Sequence, residues 1–414
     1  MWTRLLKEIQ LSFRNVLRNK RRSILTALVL TIGVISLCFF GGYLESIYYF
    51  YGNSVIAKHG HFQIRKKGYS AGEKTSLKNG INKKEKQAAK EILNNYPHIN
   101  VITERLNVSG IIGTEKRSTI FIGLGIVPEK ELDLLSVASA YSDSFAELTN
   151  TDNILVGKIL SKQMEFEKND RVTLMSMSEY GSLEAVYALV GGDISTGITE
   201  TDSRLVLGNL NKMQNLVYTD KIHSLVVLMD RNPSKRGLKN FVSELEKKFD
   251  NKNLQMDIKL WYELDDMYQP TIRLFNTIFT IITIIFLIVI GFTIANTIYM
   301  SVMERINEVG TLRAVGSSKN MIVRMFILEA AIISFLSSII GVGISGVLVN
   351  IINNMNIVLP PYPGQSESYA LKFIMNLKVI AWAFLFNLMG GVIASIIPAL
   401  KAVKFKVIDA IRHV

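Results

Sequence analysis

The sequence predicts a membrane α-helical protein with four transmembrane helices. An α+β extracytoplasmic domain, a ferredoxin-like module plus a β-rich insertion, is expected between helices 1 and 2. Three observations lead there. The 414 residues are 49% hydrophobic yet 20% charged, with mean hydropathy +0.25, which suits a chain divided between bilayer and water. Four apolar stretches reach the roughly 20 residues that a helix needs to cross the hydrocarbon core. One long polar segment separates the first stretch from the other three.

Residues 1–22 come first. Trp2, Leu5, Leu6, Ile9, Phe13, Val16 and Leu17 recur at helical spacing, opposite Arg4, Lys7 and Arg14. That is a basic amphipathic helix for the cytoplasmic face of a membrane, and packing on a partner protein would use the same pattern. The apolar cores Ser23 to Leu44, Leu274 to Met303, Ala330 to Val349 and Val379 to Leu400 follow. The expected spans are 23–44, 271–303, 321–352 and 377–400. The first is longer than the roughly 7–15 apolar residues of a signal peptide and lacks a small-x-small cleavage site, so it is read as a retained span.

Lys and Arg near the spans set the orientation. Arg4, Lys7, Arg14, Arg18, Lys20, Arg21 and Arg22 precede the first span, and Lys401, Lys404, Lys406 and Arg412 follow the fourth in the tail 401–414. The link 304–320 and its flank carry Arg305, Arg313, Lys319 and Arg324. The link 353–376 holds Pro360-Pro361-Tyr362-Pro363 and Glu367, with no basic residue before Lys372. Both termini and 304–320 are therefore expected in the cytoplasm, and 45–270 outside it. The net charge of +12 then belongs to the membrane surface, and nucleic acid is not an expected partner. Cys38 is the only cysteine, so no intrachain disulfide can form.

In 45–270, two strand–helix–strand passages are legible. His61 to Arg65 leads to a helix near Lys83 to Tyr96 and to strands Val101 to Ile112 and Ser118 to Ile126. Ser224 to Met229 leads to a helix capped by Ser234, with Leu238, Phe241, Val242, Leu245 and Phe249 on one face, then to a strand over Asn253 to Leu260. Two such units suggest a split βαβ module. The middle, Asp152 to Leu216, reads as a β-rich insertion. No nucleophile elbow or HExxH occurs, and a non-catalytic subunit is expected.

Several patterns mislead. Gly341-Val342-Gly343-Ile344-Ser345-Gly346 matches GxGxxG, but it lies inside an apolar span, where small residues serve close helix approach. Gly157-Lys158 is followed by Ile159 and lacks the upstream glycine of a P-loop. His59 and His61 alternate as strand neighbours without a third ligand at metal-site spacing, so no metal is expected. Glu329 enters the third span near Arg324. An acid at that depth is a functional candidate, with an interfacial pair to Arg324 as the plainer reading.

The link is the most informative stretch. Val302, Ile306, Val309 and Leu312 define an apolar face, and Glu304, Asn307, Glu308 and Thr311 another. Gly310 and Gly316 permit a break and a turn. From about Asn296 to Glu329 this pattern resembles the signature of FtsX-like ABC permeases, the mechanotransmission type that includes MacB and the lipoprotein-releasing LolC and LolE subunits. The residues that carry the resemblance are Glu304-Arg305, Glu308, Gly310, Leu312-Arg313-Ala314, Gly316 and Glu329-Ala330, with Arg18 to Arg22 before the first span. Pro398-Ala399, Ala402 and Asp409-Ala410-Ile411-Arg412 resemble the family's C-terminal tail, although Val407 stands where many members have proline. Gly60 to Ile64 and Ser195 to Ser203 resemble passages of the lipoprotein-releasing branch. Ile154 to Lys158, through Asp170 to Val172, also fits but is shared with MacB-like members.

The resemblance implies an inner-membrane permease that extracts lipoproteins and passes them to a periplasmic carrier. It implies a second permease subunit, identical or related, and a LolD-like ATPase dimer that binds ATP and Mg, leaving this chain without a cofactor. Glu304, Arg305, Glu308, Gly310, Leu312, Arg313 and Gly316 would couple it to the ATPase. Leu44, Tyr48, Tyr49, Phe50 and Leu274 would line a substrate cavity. MacB-like export of a peptide, toxin or drug, and FtsX-like signalling to a cell-wall hydrolase, are the rival roles.

Overall fold

A computed structural model of the chain describes residues 2–18, 20–69, 77–135, 145–150, 152–230, 233–359 and 369–403. The Pro360 to Pro363 run, Glu367 and the tail residues Lys404, Lys406, Val407 and Asp409 to Arg412 lie outside them. The chain divides into two compact units. One comprises Met1–Tyr48, Ile272–Val358 and Ala370–Val414. The other comprises Tyr49–Thr271 and Leu359–Tyr369.

The first unit is helical. Lys20–His59, Tyr268–Glu304, Lys319–Asn354 and Leu377–Ala402 are each long and apolar enough to cross a membrane. The helices Trp2–Arg18 and Ile306–Ala314 accompany them. The first spanning helix runs far beyond Leu44. Hydropathy marks where the bilayer ends, whereas a helix stops only where its backbone is capped. Here that point is Gly60, at φ +69, whose N–H bonds to Ile56 O at 2.7 Å. A Cβ at Gly60 would stand 2.6 Å from Val226 and 2.7 Å from Val227 O, so glycine is required there on two counts. Side-chain caps start the last two spans: Ser318 accepts from Met321 N, and Asn376 from Val379 N.

All four spanning helices contribute to one core cluster that includes Leu30, Ile294, Phe326 and Ala399. Close approach relies on small residues, as expected where lipid supplies no hydrophobic drive between helices. A Cβ at Gly391 would collide with Ser334 Oγ and stand 2.9 Å from Ile294. Asn387, fully buried, donates to Ser334 O (3.1 Å) and Ser338 Oγ (2.9 Å) and ties the last two spans together. Of the fingerprint-like glycines only Gly341 meets another helix, with Val34 2.8 Å from its would-be Cβ. Gly343 and Gly346 have no such neighbour within 4 Å, so the close-approach reading holds for one position of three.

Among its described residues the second unit is built on nine strands, β1 Phe62–Lys66, β2 Ile99–Gly113, β3 Ser118–Ile126, β4 Asn153–Gly157, β5 Arg171–Met177, β6 Leu183–Ile194, β7 Leu205–Asn209, β8 Ser224–Met229 and β9 Met256–Leu260. Four of them run β9-β1-β8-β2, each pair antiparallel. Helices Lys83–Leu93 and Lys235–Asn251 make the crossovers, and the latter buries Leu238, Val242, Leu245 and Phe249. This interleaving of two strand–helix–strand units is the split βαβ arrangement.

β3 belongs elsewhere. It pairs with β2 and β7, and the order β3-β7-β4-β6-β5-β2 closes on itself into a six-stranded barrel. The β-rich part therefore draws on residues before Asp152, because β2 is long enough to serve both sheets. Its Ile99–Arg105 part pairs with β8, and Leu106–Gly113 with β3. Closure leaves no free edge in that part of the unit. Val108, Phe121 and Leu174 are fully or nearly fully buried on alternating positions, and Val206 is buried on β7, which is covered on both faces. Met213, on the helix Leu210–Val217, fills the space that Gly125 and Gly208 leave open.

Candidate functional site

The segment after the second spanning helix is positioned by a backbone break. Tyr268–Glu304 ends at Glu304, Arg305 leaves helical geometry (φ −118, ψ 21), and Ile306–Ala314 begins a new helix. The break falls at Arg305 and not at Gly310, which is buried within the short helix. Gly316, at φ +97, makes the turn into the third span. Val302, Ile306 and Val309 are buried as the apolar face requires, but Leu312 is 40% exposed and Val315 is 83% exposed. The short helix thus packs its first turn on the bundle and presents its last turn outward.

Around the break lies a chain of polar contacts. Glu329 is 4% exposed, and its Oε1 accepts from Arg305 Nη1 at 2.9 Å and from Asn15 Nδ2 at 2.8 Å. Ser301 Oγ donates to Oε2 at 3.5 Å. Arg305 Nε reaches Glu308 at 2.8 Å, and Arg18 reaches the other oxygen of Glu308 at 2.6 Å. Arg22 pairs with Glu304. Arg313 Nη1 donates to Val403 O at 3.2 Å, which brings in the end of the last span. Burial pushes Glu308 up, but the bonds from Arg305 and Arg18 outweigh it and hold the carboxyl below its usual range.

Glu329 therefore pairs with Arg305, not Arg324. Five residues along a helix turn through about 140°, so Arg324 and Glu329 face different sides. Arg324 instead meets Glu8 at 3.4 Å. Glu8 belongs to a stripe that the apolar pattern concealed. Glu8, Ser12 and Asn15 recur at i, i+4 and i+7, and Ser12 Oγ donates to Met325 O at 3.1 Å. The first helix thus turns this polar stripe to the third span and leaves Phe13 and Leu17 exposed, at 44% and 50%.

The remaining predicted residues are divided. Leu44 and Tyr48 are half-buried in the helical unit, where Tyr48 donates to Asn276 Oδ1 at 2.7 Å, and Leu274 is exposed. Tyr49 and Phe50 fall in the other unit, both exposed, with rings edge-on at 5.2 Å. In that unit His61 Nδ1 accepts from Met229 N at 3.1 Å, a structural use of the imidazole. In the Ser195 to Ser203 passage, the buried Asp202 accepts from Ser195 Oγ, Thr196 N and Thr196 Oγ1 at 2.6–2.9 Å. The passage thus closes on itself as a loop.

Residues 280–407 match the family described as FtsX-like permease C-terminal. The chain is 27% identical over 201 residues to the macrolide export ATP-binding/permease protein MacB of Psychrobacter arcticus, covering 49% of this chain and 28% of that protein. It is 37% identical over 127 residues to the ABC transporter permease YtrF of Bacillus subtilis, covering 29% and 28%. The chain thus spans less than a third of the length of either relative. The periplasmic region of MacB from Actinobacillus actinomycetemcomitans superposes with TM-score 0.36 and 15% identity, over 53% of this chain and 95% of that one.

Proposed function

We propose, from the premise that this chain is an FtsX-like ABC permease of the MacB type, that it is driven by a separate ATPase engaging the segment Glu304 to Gly316. The observation that carries this is the clamp of Arg305 between Glu308 and Glu329. A cytoplasmic motor that presses on Leu312 and Val315 moves a short helix freed from the second span by the break at Arg305. The Arg305 ion pairs, the bonds from Arg18 to Glu308 and from Arg313 to Val403 O, and the buried Val302–Ile306–Val309 face then pass that movement into the bundle. In this orientation both termini are cytoplasmic, the strand-built unit is outside, and the membrane is the bacterial inner membrane. ATP and Mg bind the partner, and a second permease subunit, identical or related, completes the assembly.

The cargo we assign is a lipoprotein extracted from the membrane and passed to an extracytoplasmic carrier. What supports this is the resemblance of Gly60 to Ile64 and Ser195 to Ser203 to the lipoprotein-releasing branch. Withdrawing acyl chains costs about 0.8 kcal/mol per CH₂, which calls for an external energy source. The MacB relatives equally support export of a small molecule or peptide. Leu312→Asp with Val315→Asp is expected to abolish co-purification of an ATPase while the chain stays folded in detergent; unchanged capture would sink the coupling role. Lipid-modified protein recovered with the native complex supports release, and its absence alongside a soluble exported compound supports export.

A further inference from the structure

The elbow between the first two helices carries more cation than its own carboxylates use. Arg18 and Arg22 are occupied by Glu308 and Glu304. Arg14, Lys20 and Arg21 are exposed, and no carboxylate pairs with them among the described residues. Beneath Arg21 lies an apolar stripe on one helix face: Leu25, Leu28 and Ile32 follow at steps of four, three and four residues, and are 64%, 53% and 59% exposed. From Arg21 to Ile32 the helix rises about 16 Å, roughly the depth of one leaflet of a 30 Å hydrocarbon core. Below Ile32 the same face becomes half-buried at Ile35, Ser36 and Phe39, so the stripe ends where one leaflet ends. Phe13 and Leu17, exposed on the first helix, set that helix at the same headgroup level.

We propose that this elbow binds an anionic phospholipid, its headgroup held by Arg14, Lys20 and Arg21 and its acyl chain laid along Leu25, Leu28 and Ile32. The argument for that occupant is complementarity in two chemistries at the correct separation. Three cations without a carboxylate partner among the described residues attract acidic headgroups, and the stripe below Arg21 has the length and polarity of one acyl chain. A soluble anion would satisfy only the first. Under the coupling role proposed above, the bound lipid also steadies Arg18 and Arg22, the neighbours that hold Glu308 and Glu304. Headgroup binding itself does not depend on that role and is measured without an ATPase.

The test uses the full-length chain in phosphatidylcholine bilayers with spin-labelled lipid. Labelled phosphatidylglycerol is expected to be immobilised on the order of a hundredfold more strongly than labelled phosphatidylcholine, from the summed attraction of three cations. In the variant Arg14→Gln/Lys20→Gln/Arg21→Gln the preference should fall to near unity, whereas Lys83→Gln/Lys84→Gln/Lys247→Gln should keep it. Should the first variant not fold, 0.5 M NaCl on the unaltered chain must reduce the preference. Retained preference in the folded elbow variant, or no response to salt, overturns the proposal. So does full displacement by soluble glycerol phosphate, which would make the site an anion site without a lipid tail.

Discussion

Among the described residues, each of the two units buries one arginine–glutamate pair, and the pairs are built on opposite plans. In the strand-built unit Arg105 meets Glu131 fork to fork, Nε to Oε1 at 2.8 Å and Nη2 to Oε2 at 2.7 Å, and its Nη1 donates to Lys58 O. That pair is a closed staple, with its donors spent within a few ångströms. In the helical unit Arg305 gives Glu329 a single contact and sends its other branch to Glu308 and on to Arg18, while Glu329 shares itself with Asn15 and Ser301. That pair is an open relay across four segments. Burial and chemistry are alike, so the difference lies in how many independent pieces each charge holds.

The largest effect should come from breaking a pair. Glu131→Ala leaves Arg105 buried without a carboxylate, at a cost of about 3–5 kcal/mol, read from denaturant unfolding in detergent. Glu329→Ala should cost less, because Arg305 keeps its bond to Glu308. The apolar double replacements should separate the plans. Under the coupling role proposed above, Arg105→Met/Glu131→Leu is expected to recover stability with transport intact, and Arg305→Met/Glu329→Leu to recover stability while the partner's ATP turnover no longer responds to cargo. Equal retention of coupling in both doubles would erase the distinction.

A smaller loss is expected from packing alone. Gly391→Val forces the last two spans apart at Ser334 and should cost about 1–3 kcal/mol, visible as a lowered midpoint of thermal unfolding. An unchanged midpoint would mean that these helices do not depend on the close approach. The smallest effect is electrostatic and confined to the strand-built unit. Burial raises the Glu104 carboxyl, but hydrogen bonds from Lys86 and Lys90 more than offset it and hold it below the ordinary range. A depressed folded value means stability that is present above the unfolded value of about 4.3 and lost as pH falls through the folded one. Glu104→Gln should therefore flatten the acid limb of the stability curve and leave neutral pH the less stable. An acid limb identical to that of the unaltered chain would refute this.

The helical unit was legible because its signals are local. Hydropathy fixes the spans, and the Glu304 to Gly316 pattern is contiguous in sequence. What escaped was anything depending on which side a residue faces. The partner of Glu329 was missed because Arg324 is near in sequence but turned away, and the stripe Glu8, Ser12, Asn15 lay behind a stronger apolar one. In the strand-built unit, the helices and flanking strands at its two ends could be read from capping and alternation. The barrel could not, since its closure depends on β3 returning to β7 across more than 70 intervening residues. No window of sequence contains that pairing.

The length of β2 has one more consequence. A single 15-residue strand is a member of both the four-stranded sheet and the barrel, so neither can lose its ladder without fraying the other's. The two substructures therefore share one cooperative transition. Amide protons from Leu106 to Val108, at the crossover, should exchange only at the free energy of global unfolding, and a protease should find no stable half to release.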